Sequence, residues 1–225
     1  MAKIFSVSAR VVVSRVIDPV ARTLLRLGVS PNAVTLAGTA GAVTSTMFFG
    51  VRGQFVIGGF VVTAFALADL VDGAMARALR ARGEPPNRFG AVLDSTTDRI
   101  VDAAIFGSVL IYMVRSGDLV SVVAALLALV GALLVSYVKA RAEGMGMTCD
   151  VGLVERPERL ILIGIGGLLT GLGLDWGLPA ALWLLAALSA VTVVQRLVHV
   201  NREAAALAAA AAGPDAASPA KQDNQ

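Results

Sequence analysis

The sequence predicts an all-α integral membrane protein in which six transmembrane helices follow an N-terminal amphipathic surface helix. Three observations carry this. Of 225 residues, 56% are apolar and only 16% charged, with a mean hydropathy of +0.77, a balance foreign to a soluble domain of this length. The apolar residues come in six long runs instead of narrow helical stripes. The basic residues gather on alternate connections between those runs. The net charge of +3 therefore suits loops facing anionic lipid, and no nucleic acid partner is expected. Cys149 is the single cysteine, so no internal disulfide can form. The N-terminal run lacks the continuous apolar core of a cleavable signal peptide.

In chain order, residues 4–28 interleave apolar residues with Arg10, Arg15, Arg22 and Arg26. Arg15, Arg22 and Arg26 share one helical face, and valines, isoleucines and leucines fill the other. Residues 1–29 thus read as a cytoplasmic juxtamembrane helix and turn. Ser30, Pro31 and Asn32 supply a helix start. The spans are expected over 33–51, 55–79, 90–114, 119–140, 159–174 and 178–199, within a domain covering 30–202. The fifth, with LILIGIGGLLTGLG, is short and glycine-rich, which suits close helix packing. Residues 203–225 lose bulky apolar character and read as a frayed helix entering a disordered tail. With the N-terminus inside, external connections carry only Arg52 and Arg115 of the 19 Lys and Arg, so both termini are expected in the cytoplasm, beneath a cell inner membrane.

Four aspartates interrupt this pattern. Asp69 and Asp72 lie near the inner end of the second span, and Asp94 and Asp98 in the first turns of the third. Spacings of three and four put each pair on one helical face, and all four at similar depth. One Asp at the centre of a membrane helix costs on the order of 3 kcal/mol, so four need compensation. Two divalent cations would balance four negative charges, and hard oxygen ligands favour Mg²⁺ or Mn²⁺ in a site suited to phosphoryl chemistry. The alternatives are ion pairs with Arg77, Arg80 and Arg99, or a proton or cation pathway. Gly73 and Gly90 beside the aspartates suggest close approach by something bulky, such as a nucleotide, with Ala76 a turn away and Arg77 a bidentate donor to phosphate.

Residues 69–98 read D-x-x-D-G-x-x-A-R, a spacer, then G-x-x-x-D-x-x-x-D. This resembles the signature of the CDP-alcohol phosphotransferase family of membrane enzymes, and the topology and N-terminal helix extend the likeness over nearly the whole chain. The resemblance implies that Asp69, Asp72, Asp94 and Asp98 bind metal, with Asp98 also the general base. It implies that Gly73, Ala76, Arg77 and Gly90 line the CDP-lipid site, joined by Asn32 and Thr35 from SPNAVT. It further implies a homodimer. Asp102, a turn beyond Asp98, is outside the signature and reads as structural, paired with a polar group or with Arg99, the alternative being that it tunes the cluster.

The acceptor alcohol must be read from other residues. Lys139, Arg141, Arg156, Arg159 and Arg196 all fall at inner helix ends and together suit an anionic acceptor. The strings SYVKARAE and ERPERL are similar to those of the actinobacterial phosphatidylinositol phosphate synthases within the family. That likeness implies transfer of a phosphatidyl group from CDP-diacylglycerol to inositol 1-phosphate, with Lys139, Arg156 and Arg196 on the acceptor phosphate. Glycerol 3-phosphate as acceptor is the nearest alternative. A cation transporter would explain neither Arg77 nor the glycines, and the intact signature argues against an inactive scaffold.

Overall fold

The computed structural model describes residue 15, residues 17–66 and residues 68–212, with backbone alone for residues 66, 68, 69, 211 and 212. Among the described residues every regular element is a helix. Residues 17–26 form α1. Its apolar side, with Ala21 fully buried, packs against Val34, Val71, Ala74 and Met75, while Arg22 and Arg26 face outward. Of the expected surface helix, residues 4–14 and Val16 lie outside the described residues. Gly28, at φ 78°, closes α1 in the left-handed conformation that a side chain would resist.

Helix α2, Pro31–Ser45, starts on Ser30, whose hydroxyl accepts from the Ala33 N–H at 3.2 Å. It runs into a π-helical turn, Thr46–Gly50, where Gly50 meets Ser108: a Cβ there would lie 2.4 Å from the Ser108 hydroxyl. The run expected as one span over 55–79 is described as two helices, α3 (Phe55–Ala66) and α4 (Ala68–Ala81). Because α4 continues through Ala81, the expected basic loop shrinks to residues 82–87. Asn87 then caps α5, Arg88–Ser116, by accepting from the Gly90 N–H at 2.9 Å. Helices α6 (Leu119–Gly144), α7 (Arg156–Gly171) and α8 (Gly177–Ala212) complete the bundle. Helix α8 runs past the expected boundary at 202, as its alanine-rich sequence favours.

Among the described residues four stretches are long and apolar enough to cross a membrane: Pro31–Gly50, Phe55–Ala81, Leu119–Gly144 and Gly177–Ala210. The two helices that separate this set from the expected six are α5 and α7. The first half of α5 holds Arg88, Asp94, Asp98, Arg99 and Asp102. At 1.5 Å per residue the 16 residues of α7 extend only about 24 Å, against a hydrocarbon core of about 30 Å. Helix α5 departs from the membrane pattern by its charges and α7 by its length.

The main core joins α5, α6, α7 and α8 through Phe106, Val109, Ala124, Ala128, Leu182 and Leu185. Small residues set its spacing. A Cβ on Gly166 would lie 2.5 Å from the Ala181 Cβ and 3.0 Å from the Gly177 carbonyl, so α7 and α8 touch backbone to backbone.

Candidate active site

Helix α2 packs against both α4 and α5, and so ties together the two helices that carry the aspartates. Thr35, buried on α2, donates its hydroxyl to Asp72 Oδ2 at 2.5 Å. Asp72 is itself buried in an early turn of α4, with 8% of its surface exposed. Asn32, one turn before Thr35, accepts from Asn87 Nδ2 at 3.2 Å and so steadies the cap of α5. The two SPNAVT residues expected near the nucleotide therefore have protein partners: one orients a signature carboxylate, the other the helix bearing the remaining pair. Asp94 is exposed and Asp98 half-buried, on successive turns of α5. Asp69 lies in the first turn of α4, with its side chain outside the described residues. Among the described residues no three His, Cys, Asp or Glu side chains gather as a metal site.

The signature glycines differ in their surroundings. Among the described residues a Cβ on Gly73 would meet only the Arg77 guanidinium, at 3.4 Å, and no described helix closes over this face. A Cβ on Gly90 would come within 2.8 Å of Asn87 Nδ2 and 3.2 Å of Asn32 Oδ1. Gly90 thus preserves the α5 cap, whereas Gly73 leaves an open surface beneath Arg77. Ala76 is half-buried. Arg77 also lines a cavity of about 250 Å³ between α1 and α4, with Asp18 and Arg22.

The basic residues divide into two groups. At the start of α7, Arg156 places Nη1 2.7 Å from Asp98 Oδ1 and Nε 3.3 Å from Asp102 Oδ1. Arg159, a turn later and 2% exposed, donates Nη2 to Asp102 Oδ2 at 3.2 Å. Asp102 is therefore held by two arginines of α7. Arg99, its expected partner, points instead to the Ser95 carbonyl at 2.7 Å, because its position on α5 turns it away from α7.

The second group surrounds the α6–α7 connection. Arg196 of α8, fully buried, donates to the carbonyls of Val135 (2.6 Å) and Val151 (2.8 Å) and to Glu155 Oε1 (2.9 Å). Lys139 of α6 is 2.5 Å from Asp150 and 3.9 Å from both Glu143 and Glu155. Thr192 and Glu203 of α8 bond the backbone of Val154 and Thr148. The loop MGMTCDVG is thereby strapped to α8, and burial inside it pushes the Cys149 thiol up from its ordinary range. Arg141 is exposed. Sequence reasoning missed Glu155, whose signal was its place directly before Arg156 in VERPER.

A groove of about 600 Å³ runs between α2, α3, α5 and α7. Its walls are apolar over most of its length, and Thr97, Asp98 and Arg156 form its polar end. The candidate site thus offers one apolar groove with an ion-paired carboxylate at its polar end.

The family model described as CDP-alcohol phosphatidyltransferase matches residues 28–195. The chain belongs to this family. It is a phosphatidyltransferase, and the D-x-x-D-G-x-x-A-R motif lies within the matched residues. The chain is 44% identical over 216 residues to the phosphatidylinositol phosphate synthase of Streptomyces avermitilis, covering 92% of this chain and 87% of that protein. The corresponding protein of Mycobacteroides abscessus is 43% identical over 196 residues, 86% of this chain and 87% of its own length. Among solved structures, Mycobacterium tuberculosis phosphatidylinositol phosphate synthase with CDP-DAG bound superposes with a TM-score of 0.77 at 43% identity, covering 83% of this chain and 94% of that one. The same synthase in complex with manganese and citrate gives 0.76 at 42% identity, with coverages of 82% and 88%.

Proposed function

We infer that this phosphatidyltransferase transfers the phosphatidyl group of CDP-diacylglycerol to inositol 1-phosphate, giving phosphatidylinositol phosphate and CMP. The observation that carries the reading is the position of Asp98. It stands at the polar end of the apolar groove, 2.7 Å from Arg156, where a lipid-linked phosphate and an anionic acceptor can meet. The relatives' shared name for the acceptor supports the choice of alcohol.

The signature's donor set is carboxylate oxygen throughout, and Thr35 orients Asp72 as a second layer of hydrogen bonds orients metal ligands. This chemistry fits Mg²⁺ or Mn²⁺, held as two ions by Asp69, Asp72, Asp94 and Asp98. When bound, the ions would supply charge neutralisation for the pyrophosphate and for the negative charge that develops at phosphorus.

The chain's own residues do the rest. The groove receives the acyl chains. Gly73 and Ala76 leave room for the nucleotide, Arg77 donates to its phosphates, and Asn32, Thr35 and Gly90 shape that side through the α5 cap and Asp72. Arg156 and Lys139 meet the acceptor phosphate, with Arg141 at the rim and Arg159 and Arg196 holding the walls. Asp98 accepts the acceptor hydroxyl proton, the oxygen attacks the lipid-side phosphorus, and CMP departs. Six spans, cytoplasmic termini, a site on the cytoplasmic face of the inner membrane and a homodimer complete the reading.

The test incubates purified protein with CDP-diacylglycerol, Mg²⁺ and single acceptors, and follows CMP release. Release with inositol 1-phosphate and not with glycerol 3-phosphate is expected. Release only with glycerol 3-phosphate would assign the other acceptor, and release with neither would end the reading.

A further inference from the structure

Asp102 lies outside the signature, yet it is the most deeply buried carboxylate described on α5, at 4% exposure. It does not line the groove, whereas Asp98 and Arg156 do. One of its oxygens takes Arg156 Nε at 3.3 Å and the other takes Arg159 Nη2 at 3.2 Å. Arg159 Nε is buried with no partner, so Asp102 supplies that side chain's hydrogen bond among the described residues. A carboxylate this well enclosed, facing two arginines of another helix and set back from the cavity, acts on the site through those arginines.

We propose that Asp102 is a positioning residue for the acceptor: it fixes Arg156 before the acceptor arrives and so sets the affinity for a phosphorylated polyol. An arginine side chain carries considerable rotamer freedom, and ordering it on binding costs affinity. Asp102 removes that cost by gripping Nε at the root of the guanidinium, with Arg159 as counterweight. The inference rests on the reading of Arg156 as an acceptor contact.

The sign of one measurement separates positioning from simple charge. Asp102→Asn removes a negative charge next to the acceptor site. If Asp102 acted only through its charge, the acceptor KM would fall. If it positions Arg156, the acceptor KM rises, by about tenfold, as for other residues that support a binding side chain from behind.

The experiment measures CMP release by the full chain, varying inositol 1-phosphate and CDP-diacylglycerol in turn, for wild type, Asp102→Asn and Asp102→Glu. The expected result is a raised acceptor KM in both variants with the KM for CDP-diacylglycerol within about twofold of wild type. Asp102→Glu keeps the charge compensating Arg159 and carries the test if the Asn variant does not fold. Adding Asp102→Asn to Arg156→Gln should then cost nothing further. An acceptor KM that stays level or falls, or an equal rise in both KM values, overturns the proposal. Absence of CMP release by wild type with inositol 1-phosphate would instead overturn the acceptor reading itself.

Discussion

Arg156 and Arg196 come from the same sequence expectation, basic residues at inner helix ends, and the fold uses them in opposite ways. Arg196 is fully buried and spends its donors on the carbonyls of Val135 and Val151 and on Glu155, tying α6, the α6–α7 loop and α8 together. Arg156 is partly open, lines the groove, and reaches the carboxylates of Asp98 and Asp102. A guanidinium that closes on backbone carbonyls is part of the frame. One that meets carboxylates at a cavity can exchange them for an incoming phosphate. Arg156 and the α5 carboxylates it meets should therefore govern turnover, and Arg196 with its bonds to α6 and the α6–α7 loop should govern stability.

The largest expected effect lies on the α5 side. Asp98→Asn should lower kcat by about 10³-fold while CDP-diacylglycerol still binds, since a positioned general base contributes about 10²–10⁴. Full turnover in that variant would remove Asp98 as the base. The two arginines follow. Arg156→Gln should lower kcat/KM for the acceptor by about a hundredfold with little change in Tm, because hydrogen bonds to charged groups are worth about 1.5–3 kcal/mol. Arg196→Gln should do the reverse. It strands buried carbonyls and breaks an ion pair whose guanidinium is enclosed, for a loss of stability on the order of 3 kcal/mol by thermal unfolding. Equal Tm losses in both variants would dissolve the distinction.

The glycines sharpen the same contrast. At Gly166 a methyl group would strike Ala181 and backbone of α8, which cannot yield, so Gly166→Ala should cost about 1–3 kcal/mol of stability. At Gly73 the methyl would touch only the flexible end of Arg77. Gly73→Ala should leave Tm nearly unchanged and raise the KM for CDP-diacylglycerol. Both are simply glycines within helices; their neighbours separate packing from ligand access.

The same limit governs how much of the site is legible in sequence. The aspartates are legible because an apolar helix seldom tolerates carboxylates at spacings of three and four unless a cation or a polar ligand meets them. The close packing of the glycine-rich α7 is legible for a similar reason. The roles of the basic residues are not, because a positive-inside anchor, a strut and a phosphate contact share one composition. Arg159 and Arg196 sit in sequence much as Arg156 does, and only the distances to Asp102 and Val135 tell them apart. The partner of Asp102 is 54 residues away on another helix, beyond any local pattern. The short α7 falls below the usual signal for a span by its length, and α5 by the charges of its first half.

The smallest expected effect belongs to the exposed edge of the α6–α8 frame. The ammonium of Lys139, hydrogen-bonded to Asp150, holds that loop carboxyl below the ordinary carboxylate range. A carboxylate whose folded value is depressed adds stability above its unfolded value and loses it as pH falls through the lowered one. Asp150 is solvent-exposed, so salt screens the pair and its contribution is slight. Thermal unfolding of wild type and Asp150→Asn should therefore differ by a small margin at neutral pH and converge in acid, with the margin shrinking further in concentrated salt. A difference that persists in acid would mean that Asp150 holds the loop by shape instead of charge. The strap formed by Arg196, Thr192 and Glu203 would then depend on a residue outside the buried frame.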